Sequence, residues 1–276
     1  MSDSQYQKQI MAIRFILIVT LIEFLIFIVS GVSLSYQYGN TFFSIGVDPA
    51  FWLFYLMKVP QTIALYKPLG MAIDACIVLL LVLLIYNPKK FRIAAILFIL
   101  MLLFYTTLTG FLSHRNYQTG FILVLIPFMF REINQFFAYN AIRYFLLFYY
   151  LSSAVFKISN GLSNTESFSS VLVNQFSPYF LENNTGWRTD LNLYLIYNPG
   201  TSFFLYCSAI VLELSALIGF FTKKYDVVLC LLFLAFHVGN WVIMDIAPMG
   251  HISFVLLLLI SKYYIAPNYL NHMLKN

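Results

Sequence analysis

Runs of about 20 consecutive apolar residues recur along this chain, and each is long enough to cross the hydrocarbon core of a bilayer as an α-helix. The eight runs cover residues 10–30, 68–87, 93–113, 118–131, 135–157, 201–221, 226–245 and 247–265. The fourth is short, which suits a tilted or partly re-entrant helix. The pattern predicts an all-α fold, a polytopic membrane helix bundle of about eight transmembrane helices whose partner is the lipid bilayer.

The composition argues against a water-soluble fold and against nucleic-acid binding. Hydrophobic residues make up 61% of the chain and charged residues only 10%, whereas soluble domains carry about 25% charged residues. The net charge of +5 comes mainly from basic residues in short loops, which is the pattern that orients membrane proteins. We therefore predict a multi-pass protein of the cell (inner, cytoplasmic) membrane with no nucleic-acid partner.

The basic residues are divided unequally between the two predicted sides of the membrane. Ten share a side with both termini: Lys8, Arg14, Lys89, Lys90, Arg92, Arg131, Lys223, Lys224, Lys262 and Lys275. Five lie on the other side: Lys58, Lys67, Arg115, Lys157 and Arg188. Because positive charge is retained in the cytoplasm, both termini are predicted to be cytoplasmic.

The polar segment 159–200 then lies outside the cell. We predict a single transmembrane domain over residues 1–276 in which this segment is an extracytoplasmic loop. Loops held on a rigid scaffold often carry binding residues. Trp187 and Arg188 are the candidate substrate-binding residues of this loop.

Ionisable residues at membrane depth are the first candidates for a functional site, because each is costly to insert. Arg143 and Glu213 each lie eight residues from the inner end of a predicted span, or roughly 12 Å deep at about 1.5 Å per residue. We predict an ion pair between them, which Glu23 could extend. Such a pair either joins two helices structurally or belongs to a site.

Two further residues have alternative interpretations. Lys157 ends an aromatic stretch, so its side chain either snorkels to the surface or points into a cavity, where burial can make a lysine a base. His237 lies in an apolar helix as a hydrogen-bonded packing residue or as a ligand-binding one. Cys76, Cys207 and Cys230 lack metal-ligand spacing, and we predict no metal site.

Three motifs carry a family resemblance. They are Tyr150-Leu-Ser-Ser-Ala-Val-Phe-Lys157-Ile-Ser-Asn-Gly, then Leu212-Glu213-Leu-Ser followed by Phe236-His237-Val-Gly-Asn240, and more loosely His114-Arg-Asn-Tyr-Gln-Thr-Gly120. In this order they resemble the membrane core of vitamin K-dependent gamma-glutamyl carboxylases over residues 100–262. They also resemble the wider bacterial family of horizontally transferred transmembrane (HTTM) proteins.

The resemblance implies an enzyme that couples a reduced naphthoquinone and oxygen to modification of a substrate at the outer face. Lys157 would be the catalytic base, and His237 and His114 would orient the quinone or the developing oxyanion. Short SdpB-like members, which mature secreted peptide toxins, imply the alternative of a non-catalytic membrane partner for a secreted peptide or protein. A transporter is disfavoured, because the sequence has no inverted repeat and no paired broken helices.

Overall fold

The computed structural model describes residues 3–31, 33–36, 52, 56–58, 62, 65–88, 92–113, 119–130, 132–161, 165–181, 186–246 and 250–260. Within these ranges the regular structure is helical, and none of it is β-strand. A helix satisfies its own backbone hydrogen bonds, which a bilayer interior requires. The all-α prediction is confirmed.

The described helices have the following bounds in chain order: α1 Asp3–Val29, α2 Lys67–Tyr86, α3 Arg92–Ser113, α4 Thr119–Leu125, α5 Glu132–Gly161, α6 Ser167–Leu181, α7 Trp187–Tyr197, α8 Pro199–Leu214, α9 Ala216–Phe221, α10 Asp226–Met244 and α11 His251–Ile260. Short 3-10 turns lie at Leu34–Tyr36 and Ile126–Met129. Proline occupies the first turn of α2 and of α8, where its missing N–H breaks no helical hydrogen bond.

Five segments of the described chain are long and apolar enough to cross a membrane: Gln7–Tyr36, Lys67–Tyr86, Asn134–Asn160, Pro199–Phe221 and Asp226–Met244. Shorter apolar helices cover Arg92–Thr106, Gly120–Met129 and His251–Ile260. Large apolar side chains are exposed on the long helices, among them Phe15, Leu79, Phe148, Phe204 and Leu231. Helices of this length with apolar outer surfaces are typical of a membrane protein.

The polar segment predicted as a loop over residues 159–200 contains two helices. In α6, Leu172 and Phe176 are buried, and in α7, Asn192 and Leu195 are buried. Each helix thus buries residues three or four positions apart on one face. Most of the segment is therefore helical.

The contacts of the chain form two compact units. One contains residues 1–140 and 249–276, and the other contains residues 141–248. The core of the first unit includes an aromatic group in which Phe24 lies within 6.1 Å, between ring centroids, of Phe27, Tyr105 and Phe121. Gly120 packs so closely on Gly250 in this unit that a Cβ atom would overlap the Gly250 carbonyl.

Glu23 has its partners within the first unit. Its carboxylate accepts hydrogen bonds from the Gly250 and Ser253 backbone N–H groups, each at 3.0 Å, and from the Ser253 hydroxyl. These groups lie at the start of α11, where the first backbone N–H groups of a helix lack helical acceptors. Glu23 therefore caps α11.

The second unit is packed through small and branched side chains of α5, α8, α9 and α10. Leu147 of α5 lies against Gly219 of α9, where an added Cβ would come within 2.6 Å of the leucine. Ala154 of α5 and Phe233 of α10 are fully buried. This packing holds the polar side chains of α5 against those of the other helices.

Candidate functional site

Three polar side chains lie on one face of α5. Arg143, Tyr150 and Lys157 are spaced by seven residues, which is close to two helical turns and so places them in one row. The buried residues of α10, which include Asp226, Phe233 and His237, also lie on one face, at spacings of seven and four residues. Each polar residue of the α5 row has a polar partner within residues 141–248.

The Lys157 ammonium pairs with Glu213 of α8. Lys157 Nζ donates to Glu213 Oε1 and, at 3.2 Å, to Ser153 Oγ. Ser153 Oγ itself donates to Glu213 Oε1 at 3.0 Å. The Glu213 side chain is 2% exposed and that of Lys157 is 26% exposed, so the carboxylate is enclosed while the amine reaches the edge of the pair.

The second oxygen of Glu213 differs from the first. Glu213 Oε2 is buried and accepts no hydrogen bond from the part of the chain that the structure describes. Buried carboxylate oxygens are usually hydrogen-bonded, because an unmatched one loses its hydration without compensation. Oε2 is therefore an acceptor open to a hydroxyl or N–H donor.

Tyr150 and His237 form a hydrogen-bonded pair in the same unit. The Tyr150 hydroxyl lies 2.6 Å from His237 Nε2, and both residues are buried. The Tyr150 ring stacks on Phe233 with centroids 3.8 Å apart and an interplanar angle of 10°. Both rings of the pair are thus fixed by packing as well as by the hydrogen bond.

Phe236 connects the two pairs. Its ring centroid lies 5.3 Å from Lys157 Nζ, within the range of a cation–π interaction, and 6.3 Å from the Tyr150 ring. We refer to Tyr150, Ser153, Lys157, Glu213, Phe236 and His237 as the Lys157 cluster. Lys157 and His237, both predicted as site residues, belong to it.

Arg143 pairs with Asp226, and the predicted Arg143–Glu213 pair is wrong. Arg143 Nε and Nη2 donate to the two Asp226 carboxylate oxygens at 2.8 and 2.6 Å. Nη2 also donates to the Gly219 and Thr222 carbonyls at 2.8 and 3.2 Å. Both side chains are at most 3% exposed. This arginine joins the end of α9 to the start of α10, which is a structural role.

The sequence prediction failed here because depth was counted along each helix. Asp226 is the first residue of the run 226–245, whereas Arg143 lies eight residues inside its run, so this count places them at different depths. The Gly219 carbonyl of α9, the Thr222 carbonyl of the connection and the carboxylate of Asp226, the first residue of α10, all reach the Arg143 guanidinium. The seven-residue spacing of Arg143, Tyr150 and Lys157 was the signal that would have identified Tyr150.

The other predicted site residues have separate surroundings. Glu23 caps α11 in the first unit and is described there. His114 lies outside the described residues. Trp187 is 63% exposed. Arg188 pairs with Asp245 at 2.5 Å, and its guanidinium lies 5.4 and 5.6 Å from the ring centroids of Trp187 and Trp241.

Among the described residues, no group of three or more His, Cys, Asp or Glu side chains is arranged to hold a metal ion. Comparison of the chain with known protein families, curated proteins and solved structures gives no match in any of the three. Membership of the carboxylase-like family therefore stays a prediction from the motifs. The geometry of the Lys157 cluster supplies the functional argument.

Proposed function

We propose that this chain is a multi-pass membrane enzyme of the cytoplasmic membrane in which the Lys157 cluster is the acid–base centre. The observation that carries the proposal is the open, buried oxygen Glu213 Oε2. A buried carboxylate oxygen that lacks a donor can accept a hydrogen bond from the hydroxyl group of a bound molecule and act as the acceptor of its proton. The substrate class is thus an apolar molecule with an acidic hydroxyl group.

The contacts divide the roles between the two residues of the pair. Lys157 donates to Glu213 Oε1 and Ser153, so its ammonium stabilises the carboxylate. Glu213 retains the free acceptor and takes the substrate proton. This changes the sequence hypothesis, in which neutral Lys157 is the base: we now propose Lys157 as the residue that holds and neutralises Glu213.

The substrate that we propose for this cluster is a reduced naphthoquinone. Its ring would lie against the Phe236 side chain, and one of its hydroxyl groups would donate to Glu213 Oε2. His237, already fixed by Tyr150, is the candidate for hydrogen bonding to the oxyanion. When bound, this group supplies the redox chemistry, because one quinol and one O2 give one quinone epoxide and one water.

We propose eight spans with both termini in the cytoplasm and the substrate site facing outward. In this topology the five long segments are five of the spans, and the other three spans contain α3, the short apolar stretch Gly120–Met129 and α11. The excess of basic residues on the terminal side, ten against five, supports this orientation. Cysteine labelling from outside intact cells, at single cysteines placed at residues 165 and 224, tests it: only position 165 should react.

The enzymatic proposal is tested by measuring epoxide formation from a reduced naphthoquinone and oxygen with purified protein in detergent. Wild type should form epoxide, and Lys157→Ala and Glu213→Gln should each lower the rate by about 100-fold or more, as removal of an acid–base residue does. Lys224→Ala, a change of an exposed lysine outside the cluster, should keep the wild-type rate. Folding of each variant is checked by gel filtration and thermal unfolding.

Absence of epoxide with folded wild-type protein would contradict the quinol proposal. Equal rates in wild type and Glu213→Gln would contradict the role of Glu213 even if epoxide forms. Loss in Lys157→Ala alone, with activity retained in Glu213→Gln, would return the base to Lys157.

A second candidate function is that of a non-catalytic membrane partner for a secreted peptide or protein. The observation that favours it is the exposed group formed by Trp187, Arg188 and Trp241, in which a cation lies between two indole rings. Exposed Trp and Arg residues are common centres of binding interfaces. Under this proposal Trp187→Ala abolishes peptide maturation in cells, whereas Lys157→Ala leaves it unchanged.

A further inference from the structure

Asp74 of α2 is a second buried carboxylate with an open oxygen, and it lies in the first unit. The residue is 4% exposed within a helix long and apolar enough to span the membrane. Its Oδ2 accepts a hydrogen bond from the Ser35 backbone N–H at 3.1 Å. Its Oδ1 is buried and has no hydrogen-bond partner among the described residues.

Hydroxyl groups surround this carboxylate. Ser33 Oγ lies 2.7 Å from Ser35 Oγ. The Tyr105 hydroxyl accepts a hydrogen bond from the Leu34 backbone N–H at 2.8 Å and is hydrogen-bonded to Asp74 and Ser33. All of these residues are buried, so the carboxylate and three hydroxyl oxygens form one enclosed oxygen-rich group.

The backbone is shaped so that these oxygens can meet. Gly70 lies one helical turn before Asp74, on the same face of α2. A Cβ atom at Gly70 would lie 2.7 Å from the Leu34 carbonyl oxygen. The absence of a side chain thus lets the turn Leu34–Tyr36 press against α2 and carry Ser33 and Ser35 to Asp74.

The charge of Asp74 is not balanced as those of the other buried carboxylates are. Glu213 and Asp226 each pair with a basic side chain, and Glu23 receives hydrogen bonds on both of its oxygens. No salt bridge in the described part of the chain includes Asp74. Among the described residues Asp74 thus has neither arrangement, which leaves its open oxygen able to take a positive partner.

We propose that Asp74, Ser33 and Ser35 form a binding site for one alkali-metal cation, with Asp74 Oδ1 as its charged ligand, and that the Tyr105 hydroxyl, which is hydrogen-bonded to Asp74, holds the carboxylate in place. Carboxylate and hydroxyl oxygens are the ligands of hard cations. A monovalent ion neutralises the single carboxylate, whereas a divalent ion would leave a net charge in the apolar interior.

The test uses the full chain purified in detergent. Its unfolding temperature is measured in NaCl, KCl and choline chloride at equal chloride concentration, so that ionic strength and the anion stay constant. Na⁺ at about ten times its dissociation constant should raise the unfolding temperature by about 2–3 °C relative to choline. The rise should saturate with Na⁺ concentration, as binding to one site does.

The Asp74→Asn variant keeps the shape of the side chain and removes its charge, so it should lose the response to Na⁺. Glu23→Gln is the matched control: it changes a buried carboxylate of the same unit that already has donors on both oxygens, and it should keep the full response. Ser35→Ala keeps the backbone N–H that binds Asp74 and should raise the half-saturating Na⁺ concentration severalfold. If Asp74→Asn fails to fold, direct binding of radioactive Na⁺ to wild type and Ser35→Ala replaces it.

Equal unfolding temperatures of wild type in all three salts, together with no bound radioactive Na⁺, would overturn the proposal. A response of Asp74→Asn to Na⁺ equal to that of wild type would also overturn the proposal, because the ion would then bind elsewhere. A stability that depends on pH but not on Na⁺ or K⁺ would also overturn it.

Discussion

Two ion pairs within residues 141–248 use the same helix and differ in how completely they are satisfied. Arg143 forms four hydrogen bonds to Asp226 and to two backbone carbonyls, and both side chains are enclosed. Lys157 donates to only one carboxylate oxygen of Glu213, and the second oxygen accepts no hydrogen bond from the described residues. The comparison separates a buried pair that stabilises the fold from one that retains the capacity to bind and react.

The difference follows from the chemistry of the two cations. Arginine presents a planar fork that bonds both oxygens of a carboxylate and still reaches carbonyl groups, whereas lysine is a point charge on a flexible stem. Arg143 therefore leaves nothing unpaired on Asp226. Lys157 donates a hydrogen bond to one Glu213 oxygen and none to the other.

The largest expected effect comes from breaking the complete pair. Arg143→Met removes the guanidinium and leaves Asp226 buried without its charged partner, which should cost about 3–5 kcal/mol of stability. Thermal unfolding in detergent measures this loss. The double variant Arg143→Met, Asp226→Leu should recover part of the stability, and a double variant less stable than the single one would contradict this account.

Breaking the incomplete pair should have a smaller and asymmetric effect. Lys157→Met leaves the enclosed Glu213 carboxylate without its cation and should cost about 3 kcal/mol. Glu213→Gln leaves a lysine that is 26% exposed and can reach water, so it should cost about 1 kcal/mol. Unfolding temperatures of the two variants check the order, and the reverse order would show that Lys157 is the more enclosed partner.

Arg143→Lys sharpens the comparison by placing a lysine in the complete pair. The charge is kept, but the fork and the bonds to the Gly219 and Thr222 carbonyls are lost, at a cost of about 2 kcal/mol. Thermal unfolding again gives the value. An unchanged unfolding temperature would mean that charge alone, and not the fork, holds α9 to α10.

The smallest expected effect concerns Lys223, next to the complete pair in the connection before α10. Burial lowers the pKa of Lys223 below its ordinary 10.5, and the Arg143 guanidinium lowers it further, against the opposing effect of Asp226. The folded protein therefore releases this proton before the unfolded chain does, so stability rises as pH increases from the lowered pKa toward 10.5. Lys223→Met should remove this rise.

The Lys223 measurement compares the unfolding temperatures of wild type and Lys223→Met at several alkaline pH values. The unfolding temperature of wild type should increase relative to that of Lys223→Met as pH rises. Lys224→Met is the control, and it should leave the pH dependence of wild type in place. A difference that is constant with pH would contradict the lowered pKa.

The helices could be predicted from the apolar runs with good accuracy, because the length of a span is set by the bilayer. The runs at 68–87 and 226–245 correspond to α2 and α10, which cover Lys67–Tyr86 and Asp226–Met244. The helices α6 and α7 were not predicted, because their polar residues resemble those of loops. Their buried residues become evident only when neighbouring helices are in place.

The candidate site could be predicted in its residues but not in its pairing. Lys157, Glu213 and His237 were identified as costly residues in apolar helices, and they lie in one cluster. Which acid meets which base depends on the helices that are neighbours and on short connections such as residues 222–225. A sequence taken alone does not contain that distance information.

Glu23 has a consequence for the order in which this protein is made. The carboxylate emerges in the first helix, but the N–H groups of Gly250 and Ser253 that bind it lie 227 and 230 residues later. During synthesis the nascent chain therefore carries an unmatched acid in α1 until α11 has left the ribosome and been inserted. A chain interrupted before residue 250 lacks these donors, so its Glu23 carboxylate is without the partners that bind it in the folded protein.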